Sequence, residues 1–340
     1  MTSRVPALLA LSVGSVLVLA GCATVTSPAA GGGDERLKVV ASTNVYGSLA
    51  QAVGGDDVEV TSIIDSLSQD PHSYEASARD QLTVSQADLV IENGGGYDAF
   101  VDALIDASGT TAPVITAVEY SHDYPGNEGH SDDAHAEGDA HAEGDAHAEE
   151  DAHAEGDDHA GHDHIEGFNE HVWYDPHTME HVVEDIAHEL GDLDAAKADT
   201  FEANAKKLID GIAGLETSLE KIKADHAGEK IFVTEPVPLY LTAAAGLENA
   251  TPEAFSEAVE EGQDVPPATM LEATKILGSG EVRTVIVNAQ TGGAETTEVE
   301  GLATKADIPV LKFTELLPDG LTYLEWMQQN IDELAGSLTR

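Results

Sequence analysis

Two series of short apolar runs, each run followed by a helical pattern, constrain the fold of this chain more than any other feature. The runs begin at Leu37 (LKVVAST), Val58 (VEVTSII), Asp88 (DLVIEN) and Pro113 (PVITAV) in the first series, and at Lys230 (KIFVTE), Arg283 (RTVIVNAQ) and Pro309 (PVLKFTE) in the second. Apolar and β-branched runs that alternate with helices form parallel sheets with helices on both faces. The pattern therefore predicts an α/β fold with two βα lobes, each built on a parallel sheet.

A long helical stripe separates the two series. Its apolar or small residues are spaced by four and three positions in turn, with charged residues opposite them: Phe201, Ala205, Leu208, Ile212, Leu215, Leu219 and Ile222. This spacing predicts one long helix over residues 193–226 that bridges an N-terminal lobe (residues 37–192) and a C-terminal lobe (residues 227–340). An ordinary core helix at a domain edge would give the same stripe. The length of 340 residues is consistent with two lobes.

The N-terminus has the features of an exported lipoprotein. Arg4 precedes an apolar stretch that is short for a membrane-spanning helix and typical of a signal peptide over residues 1–21. The segment LAGC, which ends at Cys22, resembles a bacterial lipobox. This resemblance implies that Cys22 becomes a lipidated mature N-terminus, held stably at the extracytoplasmic face of the cell membrane. Residues 22–36 then form a flexible tether. A stop-transfer anchor is the alternative interpretation.

Charge and cysteine content exclude several classes of function. The chain has 64 acidic and 15 basic residues, which gives a formal net charge of −49 with neutral histidines. Such a charge repels phosphate groups and attracts cations, so nucleic acid is excluded as a partner. Because Cys22 is the single cysteine, the chain has no intramolecular disulfide framework, thiolate zinc finger or CxxC redox pair.

A tract rich in histidine and acidic residues interrupts the first lobe. Residues 121–170 contain 17 acidic residues, nine histidines, no Lys or Arg, and a repeated hexapeptide, DAHAEG. Residues 121–168 have no apolar face whose burial would compensate for the conformational entropy lost on ordering, so they are predicted to be a disordered insertion. The fixed period of six between histidines predicts accessory ligands for Zn, Ni or Cu at His135, His141, His147, His153, His159, His162 and His164. A solubilising acidic linker is the alternative.

Two short motifs outside the tract carry candidate metal ligands. The first is DPHSYE around His72, directly after a predicted strand, where open α/β sheets place their ligand sites. The second is NEHVWYDP around His171, immediately after the tract. Either histidine alone could be an ordinary surface residue.

A third histidine pattern, His177, His181 and His188, follows Pro176 on a predicted helix. Its sequence HTMEH lacks the glutamate that the HExxH motif uses as a general base, so we interpret it as a solvated helix face and not as a metalloprotease site. The chain also lacks a GxSxG motif, a phosphate-binding glycine loop and a cysteine nucleophile. An enzyme is therefore not expected.

Together the motifs at His72 and His171 and the GGGYDAF segment at residues 94–100 resemble the bacterial metal-binding solute-binding proteins of zinc and manganese ABC importers, the ZnuA/TroA-like family. The resemblance covers residues 37–334. It implies two βα lobes joined by a long rigid helix, with one metal ion in the cleft between them. It also implies two further ligands from the second lobe, Glu235 and Glu315. The family usually has Asp at the latter position, so the nearby Asp319 is an alternative to Glu315.

The resemblance implies a receptor that captures Zn²⁺ outside the cytoplasm, as a monomer, and delivers it to the permease of an ABC importer. Two imidazoles and two carboxylates would fill a tetrahedral shell and leave no position for an activated water. The glutamate at 235 is typical of manganese members, so Mn²⁺ is the alternative cargo. Nitrogen and oxygen donors intrinsically favour Zn over Mn, and the imidazoles of the histidine tract also favour zinc. A cell-surface zinc buffer that acts through the tract is the alternative function.

Overall fold

The computed structural model describes residues 36–127, 165 and 167–339, which contain two parallel β-sheets with flanking helices. The strands of the first sheet are β1 (Leu37–Thr43), β2 (Val58–Ile64), β3 (Leu89–Glu92) and β4 (Val114–Thr116). Those of the second sheet are β5 (Lys230–Val233), β6 (Glu248–Asn249), β7 (Val282–Asn288) and β8 (Val310–Phe313). The predicted fold class, α/β with two parallel sheets, is confirmed.

Helices connect and cover the strands of both sheets. The helices of the first lobe are α1 (Asn44–Gly54), α2 (Ala78–Val84), α3 (Phe100–Ser108) and α4 (Pro176–Leu193). After α5 (Ala198–His226), those of the second half are α6 (Leu239–Ala244), α7 (Glu253–Glu260), α8 (Pro267–Leu277), α9 (Ala294–Lys305) and α10 (Tyr323–Leu338). Within the described residues no helix has both the length and the apolar character needed to cross a membrane.

The two sheets share one strand order, β2-β1-β3-β4 and β6-β5-β7-β8. In this order the connections leave the two central strands toward opposite edges of the sheet. Ligands bind at such switch points, beyond the carboxyl ends of the parallel strands. Residues that follow those strand ends meet across a cleft: the side chain of Asn44, directly after β1, donates to the carbonyl of Leu317 at 2.8 Å and accepts from its N–H at 3.0 Å. The cleft is therefore where a site is expected.

The bridging helix is α5, with 29 residues and a length of about 44 Å. All seven residues of the predicted stripe are buried, and α5 packs against α1 and α4 of the first lobe and against α6 and α10 of the second half. The helix begins at Ala198, after a turn in which the Asp194 side chain accepts a hydrogen bond from the Ala196 N–H at 3.1 Å. The predicted range of 193–226 therefore included the end of α4 and this turn.

The last helix, α10, belongs to the second half of the chain but packs on the first lobe as well. Its first residue, Tyr323, does not lie at the surface. The N–H of Tyr323 donates to the Ser48 hydroxyl at 3.2 Å, and its hydroxyl donates to the Trp173 carbonyl at 2.8 Å. One buried apolar cluster runs from β1 through α5 to α10. The two halves thus share a core beneath the cleft.

The ends of the predicted insertion pack against the first lobe. Ser121 is fully buried, and the rings of Tyr124 and Phe168 meet edge to face with centroids 5.6 Å apart. These apolar contacts were not evident from the charge pattern that placed residues 121–168 in one tract. The rest of the tract, including its predicted ligand histidines, lies outside the described residues, as do the predicted signal peptide and Cys22.

Candidate metal site

His72 is held at the cleft by a short capped turn. Residues Pro71–Ser73 form one turn of 3₁₀ helix, and the Asp70 carboxylate accepts hydrogen bonds from the His72 N–H at 3.0 Å and the Ser73 hydroxyl at 2.8 Å. Pro71 suits the first position of the turn because the missing N–H has no partner there in any case. The sequence motif DPHS therefore fixes the backbone that carries the imidazole.

His171 is fully buried and is oriented by Asn169. The Oδ1 atom of Asn169 lies 2.8 Å from His171 Nδ1 and accepts from the His171 N–H at 3.2 Å. The Asn169 Nδ2 group donates to the Pro236 carbonyl at 3.2 Å, and the Asn169 carbonyl accepts from the Tyr240 hydroxyl at 2.8 Å. Pro236 and Tyr240 of the second lobe thus fix the position of Asn169, which in turn orients His171.

Aromatic rings enclose the two histidines. The ring centroids of His72 and His171 are 6.0 Å apart, and Tyr97 meets both rings at 4.8 and 5.9 Å. Trp173 covers His171 at 5.2 Å. These contacts exclude water from one side of the site, which strengthens electrostatic interactions within it.

The GGGYDAF segment places Tyr97. Gly94, Gly95 and the following glycine all have positive φ, between 67° and 92°, and a Cβ on Gly94 would lie 2.5 Å from a methyl group of Thr116. The resulting tight loop is closed by the Asp98 carboxylate, which accepts from the Gly94 N–H at 2.8 Å. Tyr97 is thereby directed into the cleft, where its hydroxyl donates to Glu315 at 3.2 Å.

The two predicted carboxylate ligands, Glu235 and Glu315, follow the carboxyl ends of β5 and β8, which flank β7 in the second sheet. Glu315 is 1% exposed, and its Oε2 lies 3.9 Å from His72 Nε2. The amide group of Asn288, at the end of β7, donates to Glu315 at 2.5 Å and to Glu235 at 2.8 Å. The Thr291 hydroxyl donates to Glu235 at 2.7 Å. One amide therefore couples the positions of both carboxylates.

Three of the four predicted ligands converge. Single ligand atoms of His72, His171 and Glu315 all lie within 4.8 Å of one another, a spacing compatible with one shared metal ion. This group does not include Glu235, which is held beside it by Thr291 and Asn288. The alternative ligand, Asp319, is exposed.

Burial and mutual repulsion of the carboxylates dominate the electrostatics of the site. Burial, and next the charge of Glu235, raises the pKa of Glu315 from 4.5 to about 8. Burial also raises the pKa of Glu235, although hydrogen bonds from Asn288 and Thr291 oppose the shift. Burial, followed by the charges of Glu170 and Glu235, raises the pKa of Glu260 to about 9. A divalent cation in this position would reverse these shifts, because it favours the ionised carboxylates.

Glu170 and Glu260 are the site residues that the sequence analysis missed. Nε2 of His171 lies 3.8 Å from Oε1 of Glu260, and Glu170 is 4% exposed. Glu170 is adjacent to His171 in a motif already singled out, which could have drawn attention to it. Glu260 ends α7 in an acidic helical segment, and no local pattern distinguishes it from the neighbouring Glu261.

The third histidine pattern lies on α4, away from the cleft ligands. The rings of His177 and His181 are 4.9 Å apart, and ligand atoms of His177, Glu180 and Glu216 lie within 4.8 Å of one another. All four side chains are partly exposed. His188 lies further along α4 and is exposed.

Two parallel sheets, a long bridging helix and a cleft lined by imidazoles and carboxylates define a two-lobe solute-binding protein with a candidate metal site. The chain belongs to the ZnuA family, described as zinc-uptake complex component A, periplasmic, whose model matches residues 39–337. The family resemblance inferred from the motifs is thus confirmed.

Known relatives and structures extend this assignment. The manganese ABC transporter substrate-binding lipoprotein PsaA of Streptococcus mitis is 24% identical over 345 residues, which cover 96% of each protein. The iron ABC transporter substrate-binding lipoprotein MtsA of Streptococcus pyogenes serotype M1 is 22% identical over 358 residues, again 96% of each. The crystal structure of ZnuA matches with a TM-score of 0.63 and 17% identity, over 89% of this chain and 99% of that chain. The two relatives are named for manganese and iron, and the family description names zinc.

Proposed function

We propose that this protein captures Zn²⁺ at the extracytoplasmic face of the cell membrane and delivers it to the permease of an ABC importer. The observation that carries the proposal is the convergence of His72, His171 and Glu315 in a buried cleft. The relatives PsaA and MtsA, which match along almost the whole chain, are named as substrate-binding lipoproteins of metal ABC transporters. Their names support the importer, its permease and the membrane anchor.

The metal ligands that we propose are His72, His171, Glu235 and Glu315. Thr291 and Asn288 hold Glu235 beside the other three ligands, and we propose that its carboxylate turns toward the shared ion when the metal binds. Two imidazoles and two carboxylates complete a four-coordinate shell, and a shell without an open position suits binding and release better than hydrolysis.

Zinc is the cargo that we favour. A site of nitrogen and oxygen donors intrinsically binds Zn²⁺ more tightly than Mn²⁺ or Fe²⁺. The seven tract histidines named above would also contribute little to manganese binding, because manganese prefers oxygen ligands. Manganese is the second candidate, because a glutamate stands at position 235 and PsaA is named for that metal.

The remaining features of the proposal concern the membrane. Lipidation of Cys22 would tether the folded body through residues 22–36, which keeps the cleft near the permease. We propose a monomer as the working form.

Equilibrium metal binding tests the proposal. A form of the protein that begins near residue 34 is titrated calorimetrically with Zn²⁺, and Mn²⁺ and Fe²⁺ are then added as competitors. We expect one tight zinc site that at least tenfold molar excesses of either competitor fail to displace. Tighter binding of Mn²⁺ than Zn²⁺ would assign the protein to manganese uptake, and the lack of any tight site would remove the receptor function.

A further inference from the structure

A second group of ligand-type side chains shares His72 with the converging ligands. We call His72, His171 and Glu315 the deep group. Ligand atoms of His72, Glu170 and Glu260, the outer group, likewise lie within 4.8 Å of one another. The groups adjoin, because Oε1 of Glu260 lies 3.8 Å from Nε2 of His171. Two groups that share one imidazole offer a cation two adjacent positions.

The outer group brings two carboxyl groups together with little water. Glu170 is buried, and the side chain of Glu260 is 16% exposed. Oε1 of Glu260 is itself buried and makes no hydrogen bond to any residue that the structure describes. A divalent cation attracts both carboxyl oxygens more strongly in a protein interior than in water, so it can displace a carboxyl proton and bind between the two groups. With the imidazole of His72, the group provides the mixed nitrogen and oxygen donors that zinc accepts.

An acidic cavity borders the outer group. Its volume is about 720 Å³, and its lining includes Glu170 and Glu260 together with Glu253, Glu257 and Glu261. None of the described residues that line it is a lysine or an arginine. Glu257 and Glu261 are exposed, so the cavity reaches the surface. A cavity lined by one sign of charge raises the local concentration of the opposite ion and its association rate.

We propose that the outer group is the entry site for the transported cation. The ion arrives through the acidic cavity, binds to His72, Glu170 and Glu260, and then passes to the deep group while His72 stays coordinated. In this exchange the metal–oxygen bonds to Glu170 and Glu260 break as bonds to His171 and Glu315 form, so the ion is at no stage fully stripped of protein ligands. This inference rests on the proposed function, in which the deep group holds the cargo.

An entry site has a kinetic signature that differs from that of a permanent ligand. An intermediate binding site lowers the free-energy barrier to both association and dissociation, because the ion enters and leaves by the same path. Its loss slows association and dissociation together and leaves the equilibrium affinity nearly unchanged. Loss of a permanent ligand instead accelerates dissociation and weakens binding.

Tryptophan fluorescence can report the arrival of Zn²⁺ at the imidazole of His171. Trp173 lies 5.2 Å from His171, whereas Trp326 packs on Tyr174 at 5.5 Å. In the full-length chain with Trp326→Phe, the fluorescence of Trp173 therefore follows the arrival of Zn²⁺ at His171 in stopped flow. Release into excess chelator gives the dissociation rate.

The decisive variant is Glu260→Gln, and its matched control is Glu257→Gln. Both residues lie on α7 and line the same cavity, and both changes replace a carboxyl group with a neutral amide, but Glu257 is exposed and outside the outer group. We expect Glu260→Gln to slow association and dissociation each by about tenfold, with the Kd within threefold of the parent. Glu257→Gln should stay within about twofold. Glu170→Gln provides a second test with the same expectation, and unchanged thermal midpoints check folding.

Equal rates for Glu260→Gln and Glu257→Gln would overturn the entry site. Faster dissociation with a weaker Kd would also overturn it, because Glu260 would then be a permanent ligand of the deep group. Both results leave the proposed function intact. Tight binding that survives His72→Ala combined with His171→Ala would instead remove the proposed function, and the entry site with it.

Discussion

The Oδ1 atom of Asn169 accepts a hydrogen bond from Nδ1 of His171 at 2.8 Å and thereby determines which nitrogen of this histidine faces the cleft. The amide is kept in this orientation because its Nδ2 group donates to the Pro236 carbonyl. With the proton on Nδ1, the lone pair of Nε2 is directed at the deep group. Metal-binding histidines commonly have their second nitrogen engaged in this way.

Asn169→Ala should weaken zinc binding by about 10- to 100-fold, because the imidazole of His171 would lose its fixed tautomer and orientation. Calorimetric titration measures the change. Asn169→Asp separates the two hydrogen bonds, since it keeps an acceptor oxygen for Nδ1 but loses the donor to the Pro236 carbonyl, and it should weaken binding less than Asn169→Ala. Wild-type affinity in Asn169→Ala would show that the hydrogen bond has no part in metal binding.

The raised pKa of Glu315 makes the stability of the metal-free protein depend on pH. The pKa is about 8 in the folded protein and 4.5 ordinarily, so between these values the folded state holds a proton that the unfolded state has lost. The resulting stabilisation is fully present below about pH 4.5 and is lost as the pH rises through about 8. We therefore expect the thermal midpoint, measured with a chelator present, to fall between about pH 6 and about pH 8.5.

Glu315→Gln should make this part of the profile less steep, because glutamine does not titrate, and the slope that remains would come from other buried carboxyl groups such as Glu260. Asp319→Asn is the control, since Asp319 is exposed and its neutralisation should leave the slope as in the parent protein. A slope that is the same in Glu315→Gln as in the parent would assign the pH dependence to other groups.

Zinc binding near neutral pH should release a proton from the same carboxyl group. At about pH 7 Glu315 is mostly protonated in the empty cleft, and coordination requires the carboxylate. Titrations in buffers of different ionisation enthalpy count the released protons. We expect about one proton fewer per zinc ion in Glu315→Gln than in the parent. An identical count in both proteins would place Glu315 outside the coordination shell.

The bridging helix and both histidines could be predicted because their signals are local. The seven stripe residues from Phe201 to Ile222 are the buried residues of α5, since a spacing of three and four is itself the geometry of a helix face. His72 and His171 lie in short motifs in which the N–H of each histidine donates to the side chain two positions earlier, Asp70 or Asn169.

Glu260 could not be predicted in this way. It is 89 positions from His171 in sequence and reaches it only because α7 packs beside the cleft. Its own segment, EAFSEAVEEG, has the pattern of an ordinary surface helix with acidic residues. Tertiary packing, which no single local pattern encodes, decides which of these glutamates faces the histidines. Likewise, the sequence pattern did not show that Tyr124 and Phe168 pack together at the ends of the tract.

Lipidation of Cys22 is testable in the native host. Cys22→Ser should leave an unprocessed or mislocalised precursor, because the serine hydroxyl cannot form the thioether on which lipoprotein processing depends. Membrane fractionation and mass spectrometry of the mature N-terminus measure the outcome, with Ser27→Ala in the predicted tether as the control. Normally acylated mature protein from Cys22→Ser would rule out the lipobox interpretation.

The cleft and the tract should titrate separately. Replacement of residues 128–164 by a short Gly/Ser linker, which keeps Tyr124 and Phe168 in place, should remove several weak zinc sites and leave one tight site. His72→Ala combined with His171→Ala should do the reverse. The reason is that the cleft ligands are preorganised between packed elements, whereas the composition of the tract predicts that its ligands are ordered only as they bind. Calorimetry on both variants at equal protein concentration measures the two classes of site. If removal of the tract alone abolishes tight binding, the cleft is not the receptor site, and a zinc buffer that acts through the histidine repeat becomes the function of the protein.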